Sequence, residues 1–226
     1  MESLSWEPDK GSRILVTPRN TFPAEAFPVF VGAGYCLHLI NCFEDRDRLT
    51  VDVLEMERPV YRDYEPVPDL FVDAPPCRPV RYVIDCRSKT VVEKIAMGYD
   101  RTPDFPSAEA SRNGSRYEDF WMLGIQQSGR PGRKFFDELA RGSWKQGGVS
   151  DIFRMPAGEY LGGEPVIITN PTDPGEAVVI VQHLQPATDS AAFLIFDAFA
   201  VKSGPIARLP LRNPLHPGFH ASFSRA

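Results

Sequence analysis

The chain has 226 residues, of which 42% are hydrophobic and 24% are charged, and these values are ordinary for a soluble globular protein. Its formal net charge is −5 and it has no basic run, which argues against a nucleic-acid-binding surface or a polybasic membrane patch. No apolar run approaches the roughly 18 residues that suggest a membrane-spanning helix. We therefore predict a single domain over residues 1–226.

Cysteine usage and the N-terminal residues bear on the cellular compartment. Residues 1–7 do not combine a charged region with a following apolar stretch, so the sequence does not indicate a secretory signal. The four cysteines contain no C-x-x-C pair, and their number in a chain of this length does not resemble a disulfide scaffold. We expect reduced thiols and a cytoplasmic protein.

Two-residue alternation and short apolar runs predict strands along most of the chain. In chain order the predicted strands are 13–17, 27–31, 35–43, 49–56, 81–85, 91–97, 165–169, 177–184, 191–196 and 207–211. The turn Arg87-Ser88-Lys89 predicts a hairpin between the fifth and sixth of them. Residues 100–116 and 126–148 are rich in turn-forming residues and are predicted to be loops, the second with a short helix at 134–139.

Many short strands joined by turns are typical of a β-sandwich, a barrel or a propeller, and strand spacing alone does not choose among them. No sequence repeat is evident at the roughly 40–50-residue period of propeller blades. At that period a chain of this length would form only about four or five blades. The strand pattern therefore predicts an all-β fold and leaves the architecture open.

The sequence contains four histidines, the residue type that most often binds metal ions: His38, His183, His216 and His220. His216 and His220 have the four-residue spacing that aligns two ligands on a helix, but Pro217 and Gly218 between them exclude a helix. His183 lies within the predicted strand 177–184 and receives no role. The spacing of the histidines alone therefore predicts no metal site.

A zinc site formed by Cys36, His38 and Cys42 is a further hypothesis, because thiolates and imidazole suit Zn²⁺. In an extended strand Cys36 and Cys42 would lie about 20 Å apart, so only a sharp bend would bring both to one ion. The hypothesis is therefore weak.

Two N-terminal segments contain short motifs. Residues 6–8 and 13–16 are Trp-Glu-Pro and Arg-Ile-Leu-Val, and the pattern His-x-x-Asn-x-x-Glu is present as His38, Asn41 and Glu44. The His-x-x-Asn-x-x-Glu pattern is similar to the segment that carries the third iron ligand of carotenoid cleavage oxygenases. Residues 6–8 and 13–16 are similar to the stretch just upstream of that ligand.

Three C-terminal segments extend this resemblance in the same order along the chain. Residues 160–166 resemble the family's Glu-Pro segment, whose glutamate orients a ligand histidine. Residues 204–211 resemble the strand that leads into the last ligand, and residues 218–223 resemble the last-ligand motif Gly-Phe-His-Gly followed by an aromatic residue. The five similar segments together extend over almost the whole chain.

This resemblance implies an all-β fold, the C-terminal portion of a seven-bladed β-propeller. It implies a non-haem Fe(II) held by four neutral histidines, of which this chain would supply His38 and His220. Outer carboxylates would orient these rings. Glu164 fits that role by motif, and Glu118 is the second candidate, although the residues after it depart from the family's usual Glu-Phe-Pro. No catalytic residue beyond the metal centre is implied.

The activity implied by the resemblance is cleavage of a carbon–carbon double bond of a carotenoid or apocarotenoid with O₂. The resemblance implies that the family's first two ligands lie upstream of residue 1, and neither His183 nor His216 lies in a matching motif. Three hypotheses remain. The chain is a fragment or split product of a normal enzyme or pairs with a separately encoded N-terminal half, or it is an inactive homologue that binds an apolar ligand or a partner, or it is a different metal-binding β protein. Peripheral membrane contact stays open.

Overall fold

The computed structural model describes residues 5–20, 25–60, 69–126 and 134–224. These residues form fourteen β-strands and five 3₁₀ helices of three residues each, and none of them lies in an α-helix. No helix within these ranges is long and apolar enough to cross a membrane. The prediction of an all-β fold is confirmed.

The strands form a two-stranded ribbon and three four-stranded sheets. The ribbon pairs β1 (Ser12–Val16) with β2 (Phe27–Gly32). The first sheet contains β3 (Tyr35–Asp45), β4 (Arg48–Met56), β5 (Cys77–Asp85) and β6 (Thr90–Ala96). The second contains β7 (Arg101–Ser107), β8 (Asp119–Gln126), β9 (Glu138–Ser143) and β10 (Gly148–Arg154). The third contains β11 (Tyr160–Asn170), β12 (Asp173–Gln185), β13 (Ser190–Asp197) and β14 (Pro205–Pro210). The 3₁₀ helices are Pro8–Lys10, Asp69–Phe71, Ala110–Arg112, Pro186–Thr188 and Val201–Ser203.

Each four-stranded sheet is an antiparallel meander in which consecutive strands are neighbours. The first strand of each sheet therefore lies at an edge, and β7 contacts both β3 and β11. The three sheets repeat one arrangement, although no repeat is evident in the sequence. Because their first strands adjoin, residues that are far apart along the chain meet along this line.

The hydrophobic core lies between the sheets, and β8 is buried on both of its faces. Phe120 and Met122 belong to a cluster with Leu54 of the first sheet. Leu123, which points the other way, belongs to a cluster with Val179 of the third sheet. All five side chains are fully buried, so the second sheet is the middle layer of the described structure.

The ten predicted strands are present, with ends that differ by one to several residues. The predicted loops at 100–116 and 126–148 are wrong in part, because β7 and β9 lie within them. The helix predicted at 134–139 is also wrong, since residues 134–137 have no regular structure and β9 begins at Glu138. Pro103 and Pro106 made β7 read as a loop, yet proline is tolerated in an edge strand because no ladder hydrogen bond is required there.

Candidate metal centre

His38 of β3 contacts a buried carboxylate of β7. Its Nδ1 lies 2.6 Å from Oδ1 of Asp104, and the two side chains are 16% and 7% exposed. A neutral imidazole that donates Nδ1–H to a carboxylate carries its lone pair on Nε2. This contact therefore holds the ring of His38 in the tautomer that can bind a metal through Nε2.

The same carboxylate is fixed by its own backbone. The N–H of Phe105 donates to Oδ1 of Asp104 over 2.9 Å, and Phe105 has a positive φ of 50°. Positive φ is uncommon for a bulky side chain and marks a local turn of the backbone. The turn directs the Asp104 side chain toward β3 and the Phe105 ring toward the ring of His38, with ring centres 5.6 Å apart.

Irregular strand pairing recurs where the first strands of the three sheets approach the site. The register shifts between Cys36 and Leu39 in β3, between Asp104 and Ser107 in β7, and between 162 and 166 in β11. These intervals contain His38, Asp104 and Glu164. Bulges bend a strand and redirect its side chains, which explains how the three residues leave the regular alternation of their strands.

The pKa of His38 is raised above its ordinary value. The main cause is the hydrogen bond to Asp104, and burial of the ring opposes it. The negative charges of Asp104 and Glu164 raise this pKa further. Both carboxylates therefore act on the His38 ring electrostatically, one by direct contact and one from across the site.

His220 lies in the C-terminal segment 211–224, which follows β14 and has no regular secondary structure. Its Nδ1 lies 3.5 Å from Oε2 of Glu164 in β11, and the two side chains are 58% and 26% exposed. The N–H of Glu164 donates to the carbonyl oxygen of Phe219 over 2.8 Å, and Glu164 Oε2 accepts from the N–H of Ala221 over 3.3 Å. Glu164 therefore contacts the chain on both sides of His220 as well as its ring.

The rings of His38 and His220 lie close together, with centroids 5.4 Å apart and planes at 84°. Two imidazoles that bind one ion at about 2.1 Å have ring centres no more than roughly 7 Å apart, so this separation is within reach of one ion. Sequence analysis predicted that the rings approach one another, and they do. Their role as iron ligands stays a prediction.

The chemistry of these side chains fits a divalent iron ion. Each ring turns Nδ1 toward a carboxylate, which leaves Nε2 for a metal, and imidazole is a suitable ligand for Fe²⁺. Within the described ranges, no group of three or more His, Cys, Asp or Glu side chains is arranged to hold an ion. The site therefore consists of two histidines, His38 and His220, and the carboxylates Asp104 and Glu164.

Asp104 is the residue that sequence analysis missed, and Glu118 does not occupy its place. The Glu118 side chain is 57% exposed and pairs with Lys145, with Oε2 and Nζ 3.4 Å apart. The tripeptide Asp104-Phe105-Pro106 differs from the Glu-Phe-Pro motif only by a shorter carboxylate side chain. A search that accepted aspartate for glutamate would have found it.

The other two histidines lie outside this site. The His183 side chain is buried, and its Nε2 lies 2.7 Å from Oε2 of Glu159. His216 is exposed, and its backbone carbonyl accepts a hydrogen bond from the side chain of Gln182. Sequence analysis gave neither histidine a role, and neither contributes a side chain to the candidate centre.

The sequence of this chain is similar to those of known proteins. A family model described as retinal pigment epithelial membrane protein matches residues 1–225. Apocarotenoid-15,15'-oxygenase from Synechocystis sp. is 22% identical to this chain over an alignment of 238 residues. The alignment covers 99% of this chain and 45% of the oxygenase.

Solved structures show the same fold. Cobalt-substituted apocarotenoid oxygenase (ACO) of Synechocystis superposes with a TM-score of 0.79 at 21% identity, and an ACO/RPE65 chimera with 0.78 at 21%. Both alignments cover 97% of this chain and 45% of the other chain, so this chain spans slightly less than half the length of these relatives. The chain belongs to the retinal pigment epithelial membrane protein family, which is the family of the carotenoid cleavage oxygenases.

Proposed function

We propose that the chain supplies two of the four iron ligands, His38 and His220, of an Fe(II)-dependent dioxygenase that cleaves a carbon–carbon double bond of a carotenoid or apocarotenoid. The observation that supports this proposal is the approach of the two rings to 5.4 Å, with a carboxylate against each ring. The residues involved come from the first strands of three sheets and from the C-terminal segment.

The proposed architecture is the C-terminal portion of a seven-bladed β-propeller, formed by residues 1–226 as a single domain. Three successive four-stranded meanders with adjoining first strands are what propeller blades require. The 45% coverage of the apocarotenoid oxygenase structure agrees with a partial ring.

In this proposal each residue has one task. Asp104 holds the Nδ1 proton of His38, and Glu164 does the same for His220 while it also binds the adjacent backbone. Phe105 and Phe219, whose ring centres lie 5.3 Å apart, pack beside the His38 ring at 5.6 and 6.2 Å. Bound Fe(II) supplies the redox chemistry with O₂ that splits the double bond. The outer-carboxylate role expected of Glu118 is given to Asp104.

A complementary N-terminal half is the proposed partner, because it would supply the two other histidines and cover the outermost strands. Leu15 and Phe30 of the ribbon are 65% and 66% exposed, and Ile206 and Leu209 of β14 are 63% and 51% exposed. These apolar side chains lie on the first two strands and the last strand of the described structure, where a continued ring would add neighbouring strands. Unpaired strand edges favour such pairing.

A second candidate function is that of a catalytically inactive homologue that binds an apolar ligand or a partner. The exposure of His220 favours it, since a ligand on an exposed segment of irregular chain is easily displaced from the ion. The two candidates differ in one respect that can be measured: only the enzyme requires iron.

Metal titration of single histidine variants tests the proposal. We expect anaerobic Fe(II), or Co(II) as a probe, to perturb the imidazole NMR signals of His38 and His220 together. His38→Ala and His220→Ala should each lower the affinity by more than the roughly 100-fold that loss of an outer carboxylate costs. His216→Ala is the matched control, because its exposed side chain lies outside the site, and it should change nothing.

Oxygen uptake separates the two candidates. We expect the isolated chain to cleave apocarotenoids poorly, because two imidazoles hold Fe(II) more weakly than four. Addition of a complementary half should raise both iron retention and O₂ uptake. Robust turnover by the isolated chain would contradict the proposed ligand count, and absence of iron and O₂ uptake in the assembled pair would favour the inactive homologue.

A further inference from the structure

A buried amide side chain of the third sheet binds the C-terminal segment just before His220. Gln182 of β12 is 7% exposed. Its Nε2 donates to the carbonyl oxygen of His216 over 2.9 Å, and its Oε1 accepts from the N–H of Gly218 over 2.7 Å. This one side chain thus pairs with a backbone acceptor at His216 and with a backbone donor at Gly218, two residues farther along the irregular segment.

This segment lies close against β11, and glycine permits the approach. A Cβ atom on Gly218 would lie 3.1 Å from Oε1 of Gln182 and 3.3 Å from the Cα of Gly163. Both distances are shorter than ordinary van der Waals contact, so a side chain at Gly218 would require Gln182 or the backbone at Gly163 to shift by a few tenths of an ångström. Gly163 itself has φ +73°, a conformation that L side chains rarely adopt.

The contact between Gln182 and Gly218 lies close to His220 in the chain, so it bears on the position of the His220 ring. Gly218 stands two residues before His220, and the last backbone–backbone hydrogen bond to the sheet before Gly218 in this described segment joins the N–H of Leu211 to the carbonyl oxygen of Ala191. From His216 to His220 the backbone is held by Gln182 and, beyond it, by the bond between the N–H of Glu164 and Phe219. The side chain of His220 itself is 58% exposed, so burial does little to fix its ring.

We propose that Gln182 is a positioning residue for His220: its amide fixes the backbone at His216 and Gly218 and so places the His220 ring beside His38. The consequence for metal affinity rests on the proposed function, whereas the placement of the ring does not. Gln182 touches neither ring, so it acts only through the C-terminal segment.

Gln182→Met tests this inference, because methionine keeps the length and volume of the side chain and removes both hydrogen bonds. We expect hydrogen exchange of the Gly218 N–H to accelerate roughly tenfold or more, since its acceptor is lost. The nuclear Overhauser contact between the rings of His38 and His220 should disappear in the metal-free chain. Cobalt(II) affinity should fall about 10–100-fold, as it does when a residue that orients a ligand is removed.

Gln185→Met is the matched control, because Gln185 lies on the same strand and its Oε1 accepts from Ser190 rather than from the C-terminal segment. It should leave the ring contact and the cobalt affinity unchanged. Gln182→Glu retains the acceptor for Gly218 and loses the donor to His216, so its values should fall between those of wild type and Gln182→Met. Such partial rescue is not expected of a residue that only fills space.

Gly218→Ala alters the contact between Gln182 and the C-terminal segment without changing a residue of the third sheet. It therefore tests the inference even if Gln182→Met does not fold. It should weaken the ring contact between His38 and His220, because the added methyl group requires Gln182 and the segment to shift apart by a few tenths of an ångström. The inference is overturned if either variant folds and keeps both the ring contact and the wild-type cobalt affinity. Failure of the wild-type chain to bind cobalt would count against the proposed function alone, because the ring contact is measured without metal.

Discussion

The two histidines of the candidate centre are held in opposite ways. His38 lies in a strand, is 16% exposed, and contacts its carboxylate at 2.6 Å. His220 lies on an irregular segment, is 58% exposed, and is 3.5 Å from its carboxylate. The first ring is placed by the pairing of whole sheets, whereas the second is placed by a few side-chain and backbone hydrogen bonds.

The His38 side is fixed by polar groups buried between the first and second sheets. The side-chain amide of Asn41 donates to the carbonyl oxygens of Arg112 and Ser115 and accepts from the N–H of Gly114, all in the β7–β8 connection. This connection follows the strand that carries Asp104. The two sheets are thereby joined next to the His38–Asp104 contact, whereas on the His220 side the amide of Gln182 binds an exposed, irregular segment and not a second sheet.

A second buried group lies directly beside Asn41. Asp52 of β4, opposite Asn41, is fully buried and accepts two hydrogen bonds from Arg81, both of 2.8 Å. Tyr117, in the β7–β8 connection, donates its hydroxyl to Asp52 over 2.6 Å and accepts from Trp144 over 2.9 Å. The charge of Arg81 also lies 4.3 Å from the Trp144 ring centre. We therefore expect substitutions in this buried group to destabilise the fold, and substitutions on the His220 side to change only the candidate centre.

The largest expected effect is that of Arg81→Met. The substitution leaves the carboxylate of Asp52 buried without its cation, which costs about 3–5 kcal/mol of the free energy of unfolding at pH 7. Burial already raises the pKa of Asp52, against the hydrogen bond and charge of Arg81, and the variant raises it further. A folded-state pKa above the unfolded value disfavours the folded state as pH rises through it, so the cost should shrink in acid.

Urea unfolding at several pH values measures this effect. Arg116→Met is the matched control, because Arg116 pairs with Asp45 at the surface, where the two side chains are 73% and 55% exposed. Exposed pairs contribute roughly 0–1 kcal/mol, so this variant should remain near wild type. Equal costs for the two arginines would show that the buried group does not lock the sheets.

The next effect concerns metal affinity and separates the two carboxylates. Asp104→Asn should lower Co(II) affinity about 10–100-fold, because the outer carboxylate that orients His38 and increases its basicity is lost. Glu164→Gln should cost less, since Glu164 is farther from its ring and more exposed, and its amide oxygen can still accept from Ala221. Isothermal titration of both variants measures the order, and a larger loss for Glu164→Gln would reverse the comparison.

The sequence predicts some residues of the candidate centre and not others, according to whether they lie in a local motif. His38, Glu164 and His220 lie in local motifs, so their candidacy required no knowledge of the fold. Asp104 was missed because the prolines in its strand resemble loop signals, and because its contact joins residues 66 apart in the chain. Neighbours of that kind depend on how the first strands of the sheets adjoin, which periodicity does not encode.

Gln182 illustrates the same limit on the other side of the site. Its position within an apolar strand predicts burial but not a partner, because the backbone that it binds lies 34 to 36 residues farther along the chain. Alternation correctly predicted the strands of the first and third sheets, whose apolar residues recur regularly. It could not predict what an irregular C-terminal segment contacts.

The smallest expected effect is a change in the titration of His38 itself. In wild type the hydrogen bond and charge of Asp104 raise the pKa of His38 above 6.5, so the stabilisation from this contact is complete below 6.5 and is lost as pH rises through the raised value. In Asp104→Asn burial becomes the dominant influence, and the pKa of His38 should fall below 6.5.

Stability should then depend on pH in the opposite sense near His38, because a folded-state pKa below the unfolded value makes the folded state lose stability as pH falls through this window. An NMR titration of the imidazole signals measures the pKa, and urea unfolding between weakly acidic and neutral pH measures the slope. Asp45→Asn is the control, because it makes the same substitution in the strand of His38, at an exposed ion pair with Arg116. If the pKa of His38 is the same in Asp104→Asn and in wild type, the Asp104 carboxylate does not hold the Nδ1 proton. Another contact would then fix the ring of His38.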